Sequence, residues 1–255
     1  MTKLVSSPSE AIADIKSDST IGIGGFGLCG IPMVLIRAVQ ARGISNLTIV
    51  SNNCGVDDWG AGILLQSRQV AKMISSYVGE NKEFERQYLT GEISVELTPQ
   101  GTLAEKLRAG GSGIGAFFTQ TGVGTQVAEG GLPWRYASDG SVALSSPKKE
   151  TRMIGDKEYV LEEAIVTDFA LIRAAKVDLA GNAVFHRAAR NFNVVVAMAG
   201  RVTICEAEEV VEVGSIDPDD VHLPGLYVHR IIALSQEDKM SKRIEKRTLR
   251  PRVGA

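Results

Sequence analysis

Thr20-Ile21-Gly22-Ile23-Gly24-Gly25-Phe26-Gly27-Leu28-Cys29-Gly30-Ile31-Pro32 is the stretch from which the fold is read. A short apolar run breaks into glycines and resumes at Pro32 with Met33, Val34, Leu35, Ile36, Ala38 and Val39 at helical spacing. The apolar run predicts a buried strand, and Pro32 suits the first turn of a helix, where its missing N–H removes no bond. The stretch is thus a strand, a tight glycine loop and a helix start. Glycine permits φ > 0 and close approach of a ligand to the backbone. Free amides at a helix start can hold an anion or a developing oxyanion. Gly22-x-Gly24-x-x-Gly27 also has the spacing of a dinucleotide-binding fingerprint. That reading needs an acidic residue about 20 positions on, at the end of the second strand. The next strand, Leu47-Thr48-Ile49-Val50, runs instead into Ser51-Asn52-Asn53. A strand-to-helix turn that binds nothing is the remaining reading of the residues.

Outward from this stretch the pattern repeats. Residues 8–15 predict a first helix with Ser7 as its cap, and the helix from Pro32 ends near Arg42-Gly43, where glycine supplies a left-handed cap. Strand, helix and strand in that order predict a parallel sheet with right-handed crossovers. Such sheets bind ligands at the carboxyl ends of their strands, where both the glycine loop and Ser51-Asn52-Asn53-Cys54-Gly55 fall. A helix from Gly60, a strand over 72–77, an amphipathic helix over 82–89 and a strand over 93–97 follow. Between Lys148 and Phe185 the pattern changes to hairpins: 152–154 with 159–161 about Gly155-Asp156, and 170–175 with 183–185 about 178–182. The expected class is α/β, a mostly parallel open sheet flanked by helices with added antiparallel hairpins. The expected organisation is one domain over residues 1–238 and a basic tail over 239–255.

Composition narrows the function. A chain of 255 residues with 44% hydrophobic content can bury a sizeable core. A net charge of -2 gives no reason to expect nucleic acid or an anionic membrane. No apolar run approaches the roughly 18 residues of a membrane span, and residues 1–5 turn polar too soon for a signal peptide. Cys29, Cys54 and Cys205 show no CxxC pairing, and the three histidines have no metal-ligand spacing, so neither a disulfide framework nor a metal site is expected. A reducing cytoplasm fits this usage. The basic residues Lys239, Lys242, Arg243, Lys246, Arg247, Arg250 and Arg252 lack interleaved aromatics, and a solvated helix or loose end is expected there.

Thr98-Pro99-Gln100-Gly101-Thr102-Leu103-Ala104-Glu105-Lys106-Leu107 places Gln100 between a strand's carboxyl end and a helix beginning near Thr102. Its amide can donate to a carboxylate and accept from a hydroxyl, or it can merely pin the loop. Residues 113–125 form another strand with a glycine loop at Gly122 and Gly124. Glu208, Glu209 and Glu212 read as a solvated face, and His222 and His229 as structural or interfacial.

Five stretches carry a resemblance: 24–32, the Glu80-Asn81 loop with the helix after it, 98–111, the strand and glycine loop of 113–125, and 222–231. Together they resemble the A (alpha) subunit of family I coenzyme A transferases, in particular the branch acting on succinyl-CoA and 3-ketoacids. Ser19 and Gly22 depart from that family's usual residues. The resemblance implies that Gly24, Gly25, Phe26, Gly27, Leu28, Cys29 and Gly30 contact coenzyme A or its thioester, and that Gln100 holds the carboxylate of the acid. It implies a coenzyme A thioester as substrate with no bound cofactor. It also implies a nucleophilic Glu in a Ser-Glu-Asn-Gly motif on a separate beta subunit. That motif is absent here, and Gly79-Glu80-Asn81 is only an echo of it. No catalytic residue is therefore assigned to this chain. It is expected to work as half of an A–B unit, doubled into an A2B2 heterotetramer, moving coenzyme A from succinyl-CoA to a 3-oxoacid such as acetoacetate. The alternatives are another acid such as acetate or glutaconate, a CoA-ester hydrolase subunit, or a non-catalytic nucleotide or sugar-phosphate binding domain.

Overall fold

The computed structural model describes residues 3–243. Lys246, Arg247, Arg250 and Arg252 of the basic tail lie outside the described residues. The main sheet is eight-stranded. Its strands are β1 (Thr20–Ile23), β2 (Leu47–Val50), β3 (Val70–Ser75), β4 (Ser94–Leu97), β10 (Thr167–Asp178), β11 (Ala183–Val184), β12 (Gly200–Val211) and β13 (Arg230–Ala233). The order is β13-β12-β10-β1-β2-β3-β4, with every neighbour in that row parallel. The chain winds outward from β1 to β4 on one side and from β10 to β13 on the other. The switch of direction lies between β1 and β10, where such sheets open a crevice at their carboxyl ends.

Helices cover both faces. One core gathers Ile12, Ile36, Leu64 and Phe84 from α1 (Pro8–Ala11) and its end, α2 (Met33–Ala41), α3 (Gly62–Gln66) and α4 (Lys82–Leu89). The other gathers Leu103 and Leu107 from α5 (Gln100–Gly111) with Val196 and Ala197 from α7 (Asn191–Ala199). Two small antiparallel sheets stand apart: β5 (Ala116–Thr119) with β9 (Lys157–Glu163) and β8 (Thr151–Ile154), and β6 (Pro133–Tyr136) with β7 (Val142–Ser145). The hairpin about Gly155-Asp156 forms as read.

The other expected hairpin needs correcting. Residues 170–175 belong to β10, a central strand parallel to both β1 and β12, and only the two-residue β11 returns antiparallel along it. The run Phe-Ala-Leu-Ile before Arg173 is buried on both faces, as a central parallel strand requires. The turn at 178–182 disguised it. Glu162 on β9 ties the small sheet to the large one. Its carboxylate, 1% exposed, meets Lys106 Nζ at 3.2 Å and Lys149 Nζ at 2.5 Å, and Lys106 also reaches Glu96 on β4. Removing one member of a buried pair leaves its partners uncompensated. Glu162→Gln should therefore cost about 3 kcal/mol in urea denaturation. Glu129→Gln, which breaks the exposed pair with Lys148, should cost about 0–1 kcal/mol. Equal effects would show that the buried cluster does not join the sheets.

Candidate functional site

The loop after β1 sits at the switch point. Gly24 N–H donates to Leu171 O at 2.9 Å, carrying the β1–β10 pairing one residue beyond the strand. The chain then doubles back: Phe26 N–H donates to Cys29 O and Cys29 N–H to Phe26 O, both at 3.0 Å. Gly25 (φ 111°) and Gly30 (φ 71°) make the two corners, in a region that disfavours any residue with a side chain. No described residue accepts from the N–H groups of Gly25, Gly27 or Leu28. Phe26 stands 46% exposed at the tip, with its ring 6.4 Å from that of Phe192.

The helix start behind the loop is not an open anion site, which corrects one expectation. Met33 N–H donates to Ile31 O, and the next two amides of α2, Val34 and Leu35, donate to Glu206 Oε2 at 2.9 and 3.1 Å. Glu206 is fully buried on β12, and Arg173 Nη1 of β10 reaches its other oxygen at 3.3 Å. An internal carboxylate thus occupies the positive end of the helix. Burial pushes the Glu206 carboxyl up to about 7, against the pull of Arg173 and of the two amides. Arg173 continues the network to Glu208 and to the carbonyls of Asp238 and Lys239 in α8 (Gln236–Met240). Lys242 pairs with Glu208, and Arg243 with Asp58 while lying 5.1 Å from the Trp59 ring centroid. Glu208 is therefore paired, not part of a solvated face.

Gln100 is the first residue of α5, two positions ahead of the expected start at Thr102. It is exposed, and its side chain bonds to no described residue, so it does not pin the loop. The sheet order puts three strand spacings, about 14 Å, between the ends of β1 and β4. The structure therefore does not bring Gln100 and the 24–30 loop onto one point; they flank one edge. Gly122 and Gly124 lie in the loop between β5 and α6 (Gln126–Glu129), off the main sheet. Glu80 is exposed beside Asn81, whose side chain caps α4. Ser51 and Asn52 stitch strand ends together, bonding Ile23 O and Ser76 Oγ. Burial raises the Cys54 and Cys205 thiols, removing both as nucleophiles. His222 and His229 each accept a backbone N–H at Nδ1, from Phe185 and Thr203, in keeping with a structural role. A groove of about 260 Å³ beside the end of β10, lined by Lys176, His186, Glu209, Asp217 and Asp220, includes no expected site residue.

Sequence reasoning missed three features. Glu206 is one; its signal is a carboxylate that interrupts the short apolar run Ile204-Cys205 and Ala207. A second is a twin of the glycine loop. Gly55-Val56-Asp57-Asp58-Trp59-Gly60 follows β2 as Gly25-Phe26-Gly27-Leu28-Cys29-Gly30 follows β1, with the same reciprocal bonds between Val56 and Trp59 and positive φ at both glycines. The repeated glycine spacing was visible. Its tip differs: Asp57 Oδ1 accepts from Glu83 N–H, and Asp58 holds Arg243. The third is the start of α7, where Asn191 Nδ2 donates to Cys29 O and Asn193 Nδ2 to Gly30 O.

A parallel sheet with a glycine loop at its switch point, both faces covered and small antiparallel sheets appended is the architecture of a known class. The coenzyme A transferase family model matches residues 5–234, and the chain belongs to that family; it is a transferase. It is 56% identical over 250 residues to the A-type subunit of the probable succinyl-CoA:3-ketoacid coenzyme A transferase of Mycobacterium tuberculosis H37Rv, covering 98% of this chain and 100% of that one. It is 51% identical to the human mitochondrial succinyl-CoA:3-ketoacid coenzyme A transferase 2, covering 97% of this chain but 47% of the human protein. Glutaconate coenzyme A-transferase from Acidaminococcus fermentans shares the fold at a TM-score of 0.77 and 20% identity, over 95% of this chain and 78% of that one.

The two glycines of the loop should respond differently to a methyl group. A Cβ at Gly27 meets nothing within 4 Å, so Gly27→Ala should cost only the left-handed penalty of about 1–2 kcal/mol. A Cβ at Gly25 lies 2.3 Å from Ile31 Cδ1, so Gly25→Ala should lose a further ~1–3 kcal/mol from overpacking. Urea midpoints compare the two; similar values would mean that the loop is not held as described.

Proposed function

We propose that this chain is the A-type half of an enzyme that moves coenzyme A from succinyl-CoA to a 3-oxoacid such as acetoacetate. The observation that carries the proposal is a set of unoccupied donors at the carboxyl edge of an otherwise well-bonded sheet: the loop amides of Gly27 and Leu28 and the Gln100 amide. Names of relatives supply the substrate pair. The loop amides serve the thioester oxygen as it gains negative charge, the use to which backbone donors are put in acyl transfer. Gln100, three strands away, serves a different part of the extended substrate, the carboxylate of the acid.

The nucleophile comes from a beta subunit. Its Glu carboxylate attacks the succinyl-CoA carbonyl and displaces the coenzyme A thiolate, leaving a mixed anhydride. The thiolate then attacks the Glu carbonyl of that anhydride, succinate departs, and the enzyme carries coenzyme A as a Glu thioester. Acetoacetate enters, its carboxylate attacks that thioester, and the same two steps run in reverse. The cycle is ping-pong and needs no resident cofactor. This chain positions the reactants, so that much of the entropic barrier is met by binding. Phe26 and Tyr77, 46% and 61% exposed beyond the ends of β1 and β3, leave that edge apolar and open, as a surface facing another subunit would be. Two A and two B chains form the assembly, and it works in the cytoplasm. Among the described residues no helix is long and apolar enough to cross a membrane.

The chain alone should show no acetoacetyl-CoA formation from succinyl-CoA and acetoacetate, and adding a beta subunit that carries Ser-Glu-Asn-Gly should restore it. Borohydride after succinyl-CoA loading should modify the beta chain only. Turnover or labelling by the isolated chain would refute the half-enzyme reading. In the complex, Gln100→Ala should raise the KM for acetoacetate about tenfold, the loss of one hydrogen bond to a charged group. An unchanged KM removes Gln100 from the acid site.

A further inference from the structure

The first three residues of α7 all grip the glycine loop from behind. Asn191 Nδ2 donates to Cys29 O at 3.2 Å, the Phe192 ring lies under Phe26, and Asn193 is fully buried between the loop and β10. Asn193 uses both ends of its amide. Nδ2 donates to Gly30 O at 3.0 Å and to Ala189 O at 2.8 Å, while Oδ1 accepts from Arg173 N–H at 3.1 Å. The two ends of the loop are pressed against this one side chain. A Cβ on Gly24 would lie 2.0 Å from Asn193 Oδ1, and one on Gly30 would lie 2.8 Å from Asn193 Nδ2. Glycine at 24 and 30 is thus what lets both ends of the loop rest on Asn193.

We propose that Asn193 is a positioning residue for the transfer reaction: it closes the base of the 24–30 loop and so aims the unoccupied Gly27 and Leu28 amides at the thioester. The proposal rests on the function assigned above. Its logic is geometric. Asn191 holds the Cys29 carbonyl and Asn193 the Gly30 carbonyl, while Gly24 packs on the same Asn193 side chain, so both ends of the turn that carries Gly27 and Leu28 are fixed to α7. Removing the Asn193 amide leaves Gly30 O and Arg173 N–H without these partners and frees the two loop ends to part. Small misplacement of groups that act on the transition state is expensive in rate and inexpensive in binding.

The test is made on the complex with its beta subunit, with active sites counted by thioester trapping. Asn193→Ala should lower kcat about 10- to 100-fold while leaving the KM for succinyl-CoA within about threefold. In the isolated chain, amide exchange at Phe26 and Cys29 should quicken, and exchange in β1 and β2 should not. Gly24→Ala, which drives a methyl into Asn193 Oδ1, should reproduce both effects. It should cost far less in the Asn193→Ala background, where that oxygen is gone. If Asn193→Ala yields no folded complex, Gly24→Ala alone carries the test through kcat and loop exchange. A fall in melting temperature with kcat per trapped site and loop exchange unchanged would overturn the proposal, as would additive effects of the two substitutions. If the wild-type complex shows no transfer at all, the functional reading fails, and the exchange data still decide whether Asn193 holds the loop.

Discussion

The carboxylate of Glu206 stands where the positive end of α2 would otherwise draw an anionic ligand. Two helix amides and Arg173 converge on it in a site without solvent. A buried charge of this kind persists only because its bonds are complete; desolvation alone would neutralise it. Here the completed bonds join three elements at the switch point of the sheet: β10 through Arg173, β12 through Glu206 and α2 through its first turn. The carboxylate takes the place that a phosphate holds at helix starts in dinucleotide-binding sheets. The glycine fingerprint at 22–27 therefore has the right spacing and the wrong surroundings. No ribose-binding acid follows β2, and the helix start is already occupied.

With the helix end closed, the amides of this stretch that lack an acceptor among the described residues are those of Gly25, Gly27 and Leu28 in the loop. The twin loop after β2 makes the point by contrast. Both loops have the same turn, the same reciprocal bonds and the same glycine corners. Both leave their tip amides without an acceptor among the described residues, and one carries the uncharged pair Gly27-Leu28 there. The other carries Asp57-Asp58, whose carboxylates repel an anion and bond α4 and Arg243 instead. One backbone design anchors neighbouring segments in the second copy and, in the function proposed for this chain, serves ligand contact in the first. The difference lies in two side chains.

The parts of this molecule that were legible in its sequence are those set by local pattern. The glycine corners, Pro32 at the head of α2, the parallel winding of β1 to β4 and the hairpin at Gly155-Asp156 follow from conformational preference and short-range periodicity. Gln100 was legible as a polar group at a strand's carboxyl end, though its helix begins with it and not after it. What escaped depends on contacts across long stretches of chain. The central place of β10 is fixed by pairing with β1, nearly 150 positions earlier, while its local sequence ends in a turn whose short antiparallel return shows only the hairpin. Glu206 reaches across more than 170 positions to cap a helix. Asn193 stands at the edge of the apolar run 194–199, and its reach to Gly30 spans a similar distance. Polar residues in buried networks carry no periodic signature, because partners, not spacing, select them.

Around the switch point the polar groups divide into those bonded within the chain and those that are not. Near the switch point, Asn191, Asn193, Arg173, Glu206 and Glu208 all have their polar atoms directed at partners within the chain. Gly27 and Leu28 are half-buried and Gln100 is exposed, so water can take the bonds that the fold leaves unmade there. They remain outward on the one edge where a parallel sheet of this topology meets its ligand. The bonded groups answer to stability; the others are left open to a ligand, and that use is the role proposed for them.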